Sequence, residues 1–216
     1  MEPWYKVVIP RKELREGRSL DPSEFAVHLE QVHGGTAPAD YIEPEKFFAR
    51  NFFSKALVEH CGMVLRRLNG ETQNTAPVLS LITQFGGGKT HTLTALYHLC
   101  TTGNKAKGFP GVAEMMKATG LKEIPKAKVA IFVGNAWDAR PGCETPWLDI
   151  ADQLAGEKGR ELFSRSKNAP GTKLLGELLK MVGEPVVVLF DETLNYLGRH
   201  TQQANQFHSF VQNLTV

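Results

Sequence analysis

The stretch Val78-Leu-Ser-Leu-Ile-Thr-Gln-Phe-Gly-Gly-Gly-Lys-Thr-His-Thr92 constrains this chain more than any other. The apolar run Val78 to Gln84 reads as a buried strand, three consecutive glycines follow Phe85, and a Lys-Thr pair comes directly after them. Each glycine loses more conformational freedom on ordering than any other residue, so a triplet implies that something must approach the backbone closely. Strand, glycine-rich turn and helix in that order form a phosphate cradle. Main-chain N–H groups point inward, a helix N-terminus faces the anion, a lysine reaches the phosphates and a Ser/Thr hydroxyl ligates Mg²⁺. Gly86, Gly87, Gly88, Lys89 and Thr90 fit that grammar. The pattern G-x-x-x-x-G-K-[ST] would place its first glycine where Thr83 stands, at the exit of the strand.

The rest of the chain supplies a matching partner. Val129-Ala-Ile-Phe-Val133 and Val186-Val-Val-Leu-Phe190 read as buried strands, and the second ends in Asp191-Glu192. A carboxylate pair at a strand end is costly to bury without a task. Asp191 is placed to hold the Mg²⁺ water shell, and Glu192 to activate the water that attacks a γ-phosphate. The candidate site is thus Gly86, Gly87, Gly88, Lys89, Thr90 and His91 for nucleotide, Thr90 and Asp191 for metal, and Glu192 with Lys89 for catalysis. ATP and Mg²⁺ are the expected ligands. Kinases and GTPases with this loop commonly lack a Glu directly after the acid, so the pair favours an ATPase.

Apolar spacing predicts helices opening at Asp21-Pro-Ser-Glu24, Pro44, Lys89, Thr145-Pro146, Thr172 and about Thr201, with a short one over 112–118. The helix from Pro44 is expected to continue to Leu68, with the pairs Phe47-Phe48 and Phe52-Phe53 as core packing. A short strand is expected over Trp4 to Ile9. Strands alternating with helices predict an α/β fold with a mostly parallel sheet sandwiched by helices. The expected organisation is a helical region over 1–75 and a P-loop NTPase core over 76–216. His91, His98 and Cys100 share one helix and are read as structural, no second pair of metal ligands being evident.

Net charge excludes little but argues for little. Lys plus Arg number 25 against 23 Asp plus Glu, too near balance to imply nucleic acid or an anionic membrane. Three scattered cysteines suit neither a disulfide frame nor a zinc ribbon, and the N-terminus lacks a signal-peptide layout. The run Val186 to Phe190 is far too short to span a bilayer. These features predict a cytoplasmic protein without a membrane partner.

The string Phe85-Gly-Gly-Gly-Lys-Thr-His-Thr-Leu-Thr-Ala-Leu-Tyr-His-Leu99 resembles the loop and first helix of a family of prokaryotic AAA+-like ATPases associated with anti-phage defence. Asp21-Pro-Ser-Glu-Phe-Ala-Val-His-Leu29, Pro44-Glu-Lys-Phe-Phe48, Arg67-Leu-Asn-Gly70 and Asp191-Glu-Thr-Leu-Asn-Tyr196 are similar to further stretches of it. The resemblance implies an ATP-hydrolysing switch or motor that works with DNA or DNA-modifying proteins. It also implies a homo-oligomer or a neighbouring subunit that supplies an arginine. In that ATPase branch the sheet order resembles 5-1-4-3-2, with a sensor residue on the fourth strand. No fourth strand is legible here, so an incomplete core, the N-terminal fragment of a longer protein, is expected. Arg140 follows the second strand and could reach the same sheet edge, although a surface loop is the simpler account of it. Two other functions fit the motifs: a nucleotide-dependent scaffold with little hydrolysis, and a small-molecule kinase.

Overall fold

The computed structural model describes residues 3–10, 12–17, 19, 25–82, 86–164 and 168–215. The helices are α1 (Trp4–Val7), α2 (Lys12–Arg15), α3 (Leu29–His33), α4 (Ala39–Ile42), α5 (Pro44–Arg50), α6 (Lys55–Leu68), α7 (Lys89–Thr102), α8 (Val112–Thr119), α9 (Pro146–Ser164), α10 (Thr172–Val182), α11 (Thr193–Arg199) and α12 (Ala204–Leu214). Between them run β1 (Lys128–Val133) and β2 (Val186–Asp191), paired in parallel with Val133 opposite Asp191. The fold is α/β, mostly helical, with a two-stranded parallel sheet among the described residues. None of the described helices is long and apolar enough to cross a membrane.

The side-chain alternation of a strand divides the core in two. Val129, Ile131 and Val133 of β1, with Leu189 of β2, pack against α6, α7 and α8, and Leu29, Phe47 and Phe48 of the N-terminal helices join them. Ala130 and Phe132 point the other way, into a second cluster with Trp147, Ile150, Leu175, Leu178, Phe207 and Phe210. The sheet therefore lies between two helical layers. α9 is kinked at Gly156, whose φ of 61° lies outside the helical range.

β1 faces α9 along the edge away from β2. There Gln153 of α9 acts as a surrogate strand. Its Oε1 accepts from the Ile131 N–H at 2.8 Å, and its Nε2 donates to the Ile131 carbonyl at 2.9 Å. One side chain satisfies both main-chain groups of Ile131, which this edge would otherwise leave bare.

Several expectations need correction. Trp4–Val7 is a helical turn, so the anticipated strand over 4–9 does not form. The helix from Pro44 stops at Arg50, because Asn51 turns extended (φ −94°, ψ 138°) and Ser54 starts a new helix by accepting from the Leu57 N–H at 3.3 Å. Of the four phenylalanines there, Phe47 and Phe48 are buried but Phe52 is 85% exposed. Residues 78–82 form no strand. A strand exists by pairing, and β1 is the partner that β2 has taken. The rest of that expected strand, with Thr83, and the predicted helix start over 21–24 lie outside the described residues. α11 had no counterpart in the apolar spacing.

Candidate functional site

α7 begins abruptly. Gly88 is its N-cap, with φ 75° and no side-chain capping bond, and Gly86 has φ 77°. Both backbones lie in the left-handed region, where an L side chain is strained. Apart from its chain neighbours, a Cβ at either would meet no atom of the described residues within 4 Å. Conformation, rather than crowding, reserves these positions for glycine. No acidic residue occupies the first helical turn, and the helix dipole there favours an anion. Lys89 and Thr90 stand in this turn, both half-buried.

Thr90 meets the acid pair directly. Its Oγ1 donates to Asp191 Oδ2 at 2.7 Å, across 101 residues of sequence. Asp191 ends β2 and is 7% exposed. Its other oxygen, Oδ1, accepts from the Glu192 N–H at 3.0 Å. The parity of β2 accounts for this meeting: Val187 and Leu189 pack with the α7 cluster, and Asp191 is the next residue on that face.

Glu192 is left-handed, with φ 48° and ψ 32°, one of two non-glycine residues with positive φ among those described. Such backbone strain concentrates at functional sites. Gly134 makes the turn possible: a Cβ there would stand 2.2 Å from the Glu192 carbonyl oxygen. Arg199, at the far end of α11, donates through Nη2 to the carbonyls of Gly134 and Trp137 at 2.8 Å each. The exposed Glu192 carboxylate accepts through Oε2 from Asn195 Nδ2 at 2.8 Å. Gly134 and Arg199 carried no motif in the sequence, and Asn195 lay in the resembling stretch Asp191–Tyr196 without a role of its own. Their roles come from contacts between distant segments or from a turn that apolar periodicity does not register.

The remaining candidates are engaged elsewhere. His91 shares a hydrogen bond between Nε2 and Asn51 Oδ1 at 2.7 Å, and its ring lies 4.9 Å from that of Phe47. Burial lowers its pKa from the usual histidine value, favouring the neutral ring. His98 is buried against the Tyr41 carbonyl at 2.7 Å, and burial brings its pKa down to about 4. Burial pushes the Cys100 thiol up to about 12, which keeps it protonated and inert. Arg140 donates to Asp152 and Asp149 at 2.8 Å each, which raises its pKa and anchors the loop after β1 to α9. A cleft of about 290 Å³ lies along the edge of β1 that faces α9, lined by Glu30, His33, Trp137 and Asp149 among others; none of Gly86 to His91, Asp191 or Glu192 lines it.

The donor set suits a hard divalent cation in part. A hydroxyl and a carboxylate oxygen are hard ligands of the kind Mg²⁺ takes beside phosphate oxygens and water. Among the described residues no group of three or more His, Cys, Asp or Glu could hold a metal unaided.

A model of the DUF499 N-terminal domain, an uncharacterised family, matches residues 10–127. The chain belongs to the DUF499 N-terminal domain family. No curated protein and no solved structure shows a significant match. The DUF499 match takes in Gly86 to His91 and stops at the residue before β1, so Asp191 and Glu192 lie beyond it.

Proposed function

We propose that the chain binds ATP at residues 86–90 and hydrolyses it with Mg²⁺, as a P-loop ATPase of AAA+-like type. One observation carries this reading: the Thr90 hydroxyl and the Asp191 carboxylate, 2.7 Å apart, join the first turn of a glycine-capped helix to the acid at a parallel strand end. A structural hydrogen bond alone would not call for open left-handed glycines, an adjacent lysine and a second acid in a strained turn.

In this reading the main-chain N–H groups from Gly86 to Lys89 bind the phosphates and the Lys89 ammonium steadies their charge. Thr90 and Asp191 would hold Mg²⁺, which would supply neutralisation of phosphate charge. Glu192 orients the attacking water and takes its proton. His91 holds the first turn of α7 against Asn51 and Phe47 rather than touching nucleotide. The DNA-directed, phage-defence role, its oligomeric partners and an arginine from a neighbouring subunit rest on the resemblance of the FGGGKTHT string.

The test is a pair of variants. Lys89→Ala abolishes binding of a fluorescent ATP analogue, whereas Glu192→Gln binds it normally and releases no phosphate. Equal binding by Lys89→Ala and the unmodified protein would refute the site. A second reading, a nucleotide-dependent scaffold with little hydrolysis, is favoured by one observation: among the described residues no third strand stands beside β2 to bear a sensor group. Calorimetric ATP binding without phosphate release would select it.

A further inference from the structure

A carboxylate that is to take a proton from one water must be held still, yet Glu192 is an exposed residue with three side-chain torsions. Its main chain is fixed on every side. The Glu192 N–H is held by Asp191, its carbonyl accepts from the Asn195 N–H at 3.0 Å, and Gly134 packs beneath it. An N-cap side chain ordinarily spends its oxygen on a backbone N–H of its own helix. Glu192, the N-cap of α11, makes no such bond. Its Oε2 accepts instead from the side chain of Asn195, one turn along.

We propose that Asn195 is a positioning residue that holds the Glu192 carboxylate in its working orientation through the Nδ2–Oε2 hydrogen bond. An amide donor fixes direction without bringing a positive charge to the base, and it leaves Oε1 for the water. The backbone bond from the Asn195 N–H to the Glu192 carbonyl keeps the amide at this distance. Arg199 holds the other end of α11 to the loop after β1, so the helix carrying Asn195 is anchored at both ends. This inference rests on the reading of Glu192 as the base.

Asn195→Ala removes the donor, and Asn195→Asp keeps its shape while leaving only acceptors. In single-turnover phosphate release both lower the maximal rate about tenfold, the usual scale for losing an orienting partner of a reacting group. Half-saturation by a fluorescent ATP analogue stays unchanged, since the lost interaction serves the transition state alone. Asn195→Ser, which retains a short donor, recovers part of the rate. A readout free of turnover accompanies this: in the nucleotide-free protein the Asn195 side-chain amide resonances shift on Glu192→Ala, while those of Asn213 stay in place. Asn195→Ala with an unchanged or faster rate, or Asn195 resonances indifferent to Glu192→Ala, would overturn the proposal alone. Unmodified protein that binds no ATP or releases no phosphate would remove the ATPase reading and this inference together.

Discussion

Thr90→Val isolates the contact on which the site depends. The change removes the Oγ1–H and nearly preserves shape, and both side chains are β-branched, so helix propensity scarcely moves. Asp191 is 7% exposed, so water cannot freely replace the lost donor at Oδ2. A hydrogen bond to a charged group contributes about 1.5–3 kcal/mol, and Thr90 is only half-buried, which places the expected loss near 2 kcal/mol. In urea, with a slope of about 2 kcal/mol per molar, the unfolding midpoint falls by about 1 M with the slope unchanged. Removal of Asp191 alone also disturbs its bond to the Glu192 N–H, so a double-mutant cycle with Asp191→Ala separates the pair. The coupling energy is expected to exceed about 1 kcal/mol. A coupling within about 0.3 kcal/mol of zero, in protein free of nucleotide, would show that the two groups do not meet and would refute the geometry.

Two further predictions concern the frame around the site. His98 has a folded pKa of about 4, held down by burial, against an ordinary value of 6.5. The unfolded chain therefore binds a proton that the folded one refuses: stability is full above pH 6.5 and falls by about 3 kcal/mol as pH drops to 4, and His98→Gln flattens that loss in unfolding curves taken at pH 7 and 4.5. Gln153→Ala strips the edge of β1, leaving the Ile131 N–H and carbonyl bare in a buried position; it costs about 2 kcal/mol and speeds hydrogen exchange at the Ile131 amide, and an unchanged exchange rate there would remove the surrogate-strand role.

How much the residues revealed in advance depends on the range of each interaction. α7, α10, β1 and β2 were legible because a packed helix and a strand buried on both faces leave their period or their apolar run in the local sequence. Trp4 to Ile9 misled because a short apolar run does not distinguish a strand from a helical turn. The break between α5 and α6 hid behind apolar residues that continue the helical spacing, and its cause is the single cap at Ser54. Residues 78–82 read as a strand from composition, but a strand is completed by its neighbour, and neighbours are not written locally. The same holds for Gln153 on Ile131 and for Arg199 on the carbonyl of Gly134, 65 residues away. Each is an ordinary surface residue until the chain is folded.

The meeting of Thr90 with Asp191 is a different case, because the period of β2 already contained half of it. On α7, which is buried on almost every side, Thr90 lies one turn before Leu93, a member of the core cluster that β2 also faces. On β2, Val187 and Leu189 face the same core, and a period of two brings Asp191 to that side at the strand end. A one-residue slip of β2 against β1 would keep both motifs intact in sequence and send Asp191 to the opposite layer, among Phe132 and Phe207. The register that buries Leu189 is therefore the register that presents Asp191 to Thr90. Packing and the candidate chemistry are set by one pairing of strands, and a substitution that loosened Leu189 would be felt at Thr90 without touching either motif.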